Sequence, residues 1–197
     1  MTIHHPENPL IVQGDHTILV EVDSPRYMEV RDRLLRFAEL VKSPEHVHTY
    51  RVTPLSVWNA CAAGVPLIEI IETLSQFSKY PVPEHVLIGI RDFASRYGRL
   101  RLSRDEQGLI LSVTDEPLAE EISRNKNIAS LLTGRLSPVD FRVDPLLRGR
   151  IKQALIKIGF PAEDLAGYTP GEPLSIALCT TTRSGFLFTV RPYQQES

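Results

Sequence analysis

The chain alternates between short stretches of two-residue and three-to-four-residue apolar spacing, and this rhythm predicts its elements. Residues 10–22 read as a hairpin: LIVQ, a turn at GDH, then TILVEV, with Gly14 and Asp15 supplying turn chemistry. Asp23 and Ser24 are expected to cap a helix, with Pro25 inside its start and an apolar stripe of Tyr27, Val30, Leu34, Phe37 and Ala38. Val47 to Val52 alternates as a strand, and Thr53-Pro54 then opens a helix, Thr53 as cap and Pro54 at the first position. Leu55, Val57, Trp58, Cys61 and Ala62 form its expected buried face, and Gly64 ends it. Two more helices follow. One runs from Pro66 to about Phe77, with Ile70, Ile71, Leu74 and Phe77 inward. The other starts near Glu84 and ends at Gly98, with Val86, Leu87, Ile90, Phe93 and Tyr97 inward.

Beyond residue 98 the spacing returns to two. RLRLS and LILSV flank RDEQG as a hairpin over 99–113. Two short helices are expected in 115–133, a strand at 139–143 and a helix after Asp144 with Leu147, Ile151, Leu155 and Ile158 along one face. Residues 159–173 read as a turn-rich connector, and 175–179 and 186–190 as strands. The pattern is α+β. Hairpin 99–113 either completes a winged-helix-like arrangement with the three helices before it or opens the next domain.

Composition narrows the class. The 197 residues are 42% hydrophobic, enough for one medium domain or two small ones. No run of 18 apolar residues suggests a membrane span, and MTIHHPENP has no apolar signal core, so a cytoplasmic location is expected. Cys61 and Cys179 lie in apolar runs and read as buried free thiols. The net charge of −2 is unevenly spread: 7 Lys/Arg against 11 Asp/Glu in residues 1–90, and 15 against 13 beyond. A nucleic-acid surface is therefore expected in the second half.

Two basic clusters stand there. Arg91, Arg96, Arg99, Arg101 and Arg104 form the denser one, and Arg99 and Arg101 alternate with Leu100 and Leu102. On a strand this makes either a phosphate-tracking stripe or an edge protected by charge. Arg148, Arg150, Lys152 and Lys157 form the second, on a helix. DNA contact through Arg96, Arg99, Arg101, Arg104, Arg148, Arg150 and Lys152 is expected to be weak and directed at the backbone. Catalytic chemistry finds no footing. Glu69/Glu72 and Glu120/Glu121 read as solvated helix faces, and His46/His48 lack a third ligand at useful spacing. The phosphate loop G-x-x-x-x-G-K-[ST] and an Asp-Glu-x-His box are both absent from the sequence.

PEHVHTYRVTPLSVWNACAAG (44–64), NPLIVQGDHTILVEVDSP (8–25) and GYTPGEPLSIAL to VRPYQQES (167–197) together resemble XPB-type DNA helicases, in their amino-terminal, non-motor region. The resemblance covers nearly the whole chain. It implies an amino-terminal domain over 1–96, a domain resembling the damage-recognition domain over 97–190, and the opening of a helicase motor at 191–197. In that family an Arg-x-Tyr-Gln segment opens the motor and its glutamine reads adenine, so Arg191, Tyr193 and Gln194 would serve a nucleotide site of the parent motor. The resemblance also implies 3′-to-5′ unwinding by the parent, with ATP and magnesium bound in the motor and no cofactor or catalysis in this chain. Its partners would be DNA, the parent's motor domains and a protein docked on the amino-terminal domain, a subunit of TFIIH in eukaryotic relatives. The chain lacks the long acidic insertion that those relatives carry before FRV, which leaves that protein's identity open. A stand-alone winged-helix regulator and a pure protein-interaction module are the competing classes.

Overall fold

The computed structural model describes residues 5–167, 181 and 184–187. Residues 5–167 belong to one compact unit, within which buried apolar side chains gather into two cores, each built on its own sheet.

The first sheet contains β1 (Leu10–Val12), β2 (Thr17–Glu21), β3 (Glu39–Lys42) and β4 (Val47–Arg51), in the order β1-β2-β4-β3 and wholly antiparallel. Its helices are α1 (Tyr27–Leu34), α2 (Pro54–Ala62), α3 (Leu67–Phe77) and α4 (Glu84–Arg96). The β1–β2 turn needs a left-handed residue, and His16 takes it at φ 66°. The turn then docks on α4: the His85 ring bonds the Gly14 carbonyl, and the His16 ring lies over Gly89 and beside Phe93. α1 is shorter than its apolar stripe. It stops at Leu34, and Phe37 and Ala38 are buried in the turn that follows. Neither Asp23 nor Ser24 is its cap; that position belongs to Arg26, whose N–H donates to Ser24 Oγ.

α2 begins as its sequence dictates. Thr53 Oγ1 accepts from Ser56 N–H and Ser56 Oγ accepts from Thr53 N–H, a reciprocal cap that satisfies two orphan donors. Its buried face is Ser56, Val57, Trp58 and Ala60. Leu55 and Ala62, expected inside, are exposed, because the face that meets α4 turns about Trp58 and leaves position 55 at the surface.

The second sheet takes β5 (Leu100–Asp105), β6 (Gly108–Val113), β7 (Leu132–Arg135), β8 (Asp140–Val143) and β9 (Ala162–Asp164). Their order is β7-β8-β6-β5-β9, antiparallel except for the parallel pair β5–β9. Helices α5 (Glu116–Arg124), α6 (Lys126–Ala129) and α7 (Arg148–Lys157) cover one face, the last entered through a 3₁₀ turn at Pro145–Leu147. Hairpin β5–β6 thus belongs to the second sheet, not to a wing beside α2–α4, since Leu100, Leu102, Leu109 and Leu111 are all fully buried in the second core. The fold is α+β, with seven α-helices and two sheets among the described residues.

In the second unit, Thr181 bridges antiparallel to Leu187, and Phe186 and Leu187 are exposed. The strand expected at 175–179, most of that at 186–190, Cys179 and the Arg191–Gln194 segment lie outside the described residues.

Candidate nucleic-acid interface

β5 alternates over its first three residues, with Leu100 and Leu102 fully buried and Arg101 exposed; Arg104, on the face of the leucines, is exposed where the alternation runs out. The strand is not an edge, however. β9 covers it, pairing Leu100–Leu102 with Ala162–Asp164, so edge protection is not the role of its arginines.

Five cations of the two clusters, Arg96, Arg99, Arg101, Arg148 and Lys152, are matched by carboxylates within the fold. Arg99 donates to Asp115 at 2.5 Å, and Asp115 also accepts from Leu118 N–H as the cap of α5. The backbone N–H and the guanidinium together hold that carboxyl below its ordinary range. Arg101 donates to Glu163 at 3.2 Å across β5–β9, and Arg96 to Asp92 one turn earlier on α4. Arg148 and Lys152 converge on Asp164, at 2.7 and 2.8 Å. Burial alone would push the Asp164 carboxyl up, but its two cationic partners hold it below the usual range. Arg96 and Arg99 also share one ring: each guanidinium lies 5.5 Å from the Phe160 centroid, and Gly98, between them in sequence, takes φ 79°.

Arg150 is different. It is exposed on α7 and makes no ion pair among the described residues. Gln153 and Lys157 follow on the same helical face, and Asn127 of α6 stands opposite. These side chains, with Leu131, Ala154 and Ile158, line an open groove of about 300 Å³. Two cations and two amides over an apolar floor present donors to an anion with little desolvation. The sequence cluster includes Arg150 and Lys157 but neither Gln153 nor Asn127. Asn127 was missed because it reaches the groove from another helix.

The remaining candidates are accounted for locally. His48 Nδ1 shares a 2.8 Å hydrogen bond with Tyr27 Oη, and His46 lies 3.3 Å from Asp23. Cys61 is half-buried, and burial pushes its thiol up. Among the described residues no group of three or more His, Cys, Asp or Glu side chains could hold a metal ion, and no helix is long and apolar enough to cross a membrane.

Residues 10–137 match the family described as "Helicase conserved C-terminal domain". With the relatives below, this match places the chain in the XPB-type DNA helicase family, to which it belongs. It is 46% identical over 192 residues to a "DNA 3'-5' helicase XPB" of Kineococcus radiotolerans, covering 97% of this chain and 34% of that protein. Against the protein of the same description from Mycobacterium tuberculosis it is 48% identical over 173 residues, 87% of this chain and 32% of the other. A "General transcription and DNA repair factor IIH helicase/translocase subunit XPB" of Enterocytozoon bieneusi shares 28% over 169 residues, 85% and 27% of the two chains. The chain spans about a third of the length of its bacterial relatives.

Proposed function

We propose that this chain is the non-motor, amino-terminal portion of an XPB-type helicase, that it touches the DNA backbone beside the motor, and that it carries no catalysis itself. The observation that carries the DNA-contact reading is the α6–α7 groove, where Arg150 and Lys157 stand with Asn127 and Gln153. Ion pairing spends much of the charge of Arg96, Arg99, Arg101, Arg148 and Lys152 within the fold, which makes their contribution secondary. Arg104, exposed near the end of β5, is a further candidate contact.

The two cores support a division into an amino-terminal domain over 1–96 and a DNA-contacting domain over 97–190. Residues 191–197 would open the motor, with Arg191 and Gln194 in its nucleotide site and ATP and magnesium bound in the motor alone. A protein partner would dock on the first domain, in a cytoplasmic setting. The missing phosphate loop and Asp-Glu-x-His box in the sequence support the non-motor assignment. The family description for residues 10–137 names a helicase C-terminal domain instead. No ATP binding or hydrolysis is expected of this chain, and an ATP-binding and hydrolysis assay tests that.

The DNA reading is tested by fluorescence anisotropy on duplex DNA across a salt series. Binding is expected in the non-specific range, about 10⁻⁴–10⁻⁶ M, without sequence preference. The double change Arg150→Ala, Lys157→Ala should lower the salt slope by about 1.8, two contacts at roughly 0.9 each. An unchanged slope and affinity would leave the groove without this role and favour the protein-interaction class.

A further inference from the structure

Of the two edges of the first sheet, β1 is met by the end of α3, where Leu10 bridges Ser78. β3 is open. Among the described residues only β4 pairs with it, and all four of its residues, Glu39, Leu40, Val41 and Lys42, are exposed. Leu40 stands opposite Tyr50 and so shares a sheet face with it. Yet Tyr50 is 1% exposed and Leu40 47%. The core-facing side of the sheet therefore runs out at β3 with a leucine half uncovered and Val41, at 51%, beside it. Such an edge is a template for an added strand.

The charges of this edge choose the strand. Read about a two-fold axis between Leu40 and Val41, an antiparallel neighbour of the same sequence places its Lys42 against Glu39, its Glu39 against Lys42, and its Val41 against Leu40. Both charge pairs are attractive and the apolar pair closes the centre. A parallel in-register neighbour would instead set Glu39 against Glu39 and Lys42 against Lys42, which is repulsive. Lys42 makes no ion pair among the described residues, so its charge is available. The register shift that leaves Val41 as an extra residue between Leu40 and Lys42, together with the lysine itself, discourages indiscriminate edge pairing. A partner that supplies a carboxylate opposite Lys42 overcomes that discouragement.

We propose that β3 is a self-association edge: two copies of this chain pair β3 to β3, antiparallel about a two-fold axis between Leu40 and Val41, and join their four-stranded sheets into one of eight strands. The interface is isologous, so each charge pair occurs twice. A short strand buries little surface, and the dimer is correspondingly weak and reversible.

The test is sedimentation velocity of the 197-residue chain over concentrations spanning about 1 µM to 1 mM. The wild type should shift from monomer to dimer across that range. Glu39→Lys and Lys42→Glu each turn both charge pairs repulsive and should weaken association about tenfold or more. An equimolar mixture of the two variants restores both pairs and should dimerise again, as should the chain carrying both changes. Circular dichroism and thermal melts confirm that each variant is folded. A wild type that stays monomeric throughout, a dimer indifferent to the single reversals, or single reversals that mixing does not rescue would each overturn the proposal.

Discussion

Trp58 is the only tryptophan of the chain, and its removal offers the sharpest measure of how the first core is held. It is 5% exposed, and its indole N–H donates to the Phe93 carbonyl at 2.8 Å. Phe93 lies in the last turn of α4, where carbonyls lose their helical partners; the Tyr97 N–H turns to Ala94 instead. Trp58 therefore does two things: it fills the space between α2 and α4, and it satisfies an orphaned carbonyl. Truncating a buried tryptophan costs about 3–5 kcal/mol. Two clefts of about 330 and 500 Å³ adjoin the ring, so water can enter the vacated space, and about 3 kcal/mol is expected for Trp58→Ala. Trp58→Phe keeps much of the ring and loses the donor, for about 1 kcal/mol. Urea unfolding followed by far-ultraviolet circular dichroism measures both, since the alanine variant has no tryptophan fluorescence to report. A loss below about 1 kcal/mol for Trp58→Ala, or equal losses for both variants, would refute the two-part account.

Three further perturbations probe the frame. Gly89→Ala would gain about 1 kcal/mol in helix propensity, but its Cβ would lie 2.7 Å from His16 Nε2; a net destabilisation in thermal melts is expected, removed when His16→Gly is added. Thr53→Ala breaks the reciprocal cap of α2 and should cost about 1 kcal/mol in urea titration. The depressed Asp164 carboxyl stabilises the fold above the ordinary carboxylate value and loses that contribution as pH falls through its lower folded value. Wild-type stability should therefore drop below about pH 4 more steeply than that of Asp164→Asn, measured by urea midpoints at stepped pH.

The elements that sequence spacing makes visible are those with enough turns or alternations to repeat. α3, α4 and the β5–β6 hairpin fall where Ile70–Leu74–Phe77, Val86–Ile90 and Leu100–Leu102 place them. The strands missed are β3, β7 and β9. Each has three or four residues at or near a sheet edge and no buried side chain to mark a period. β9 reads Ala-Glu-Asp and is a strand because β5 lies beside it. The same distance effect hides the electrostatics. Arg101 and Glu163 are 62 positions apart, so a stripe that looks cationic in one dimension is partly neutralised in three. Arg150 and Lys157 remain legible because their spacing is local, whereas the amide that completes their groove, Asn127, is not.

The ring of Phe160 links the end of α4 to the second core. α4 passes into β5 through Tyr97, Gly98 and Arg99, with Gly98 at φ 79°. Contacts from Arg96 at the end of α4 and from Arg99 just before β5 both reach this one ring, which itself packs against the second core. Both contacts therefore depend on a single side chain, and Phe160→Ala removes them together.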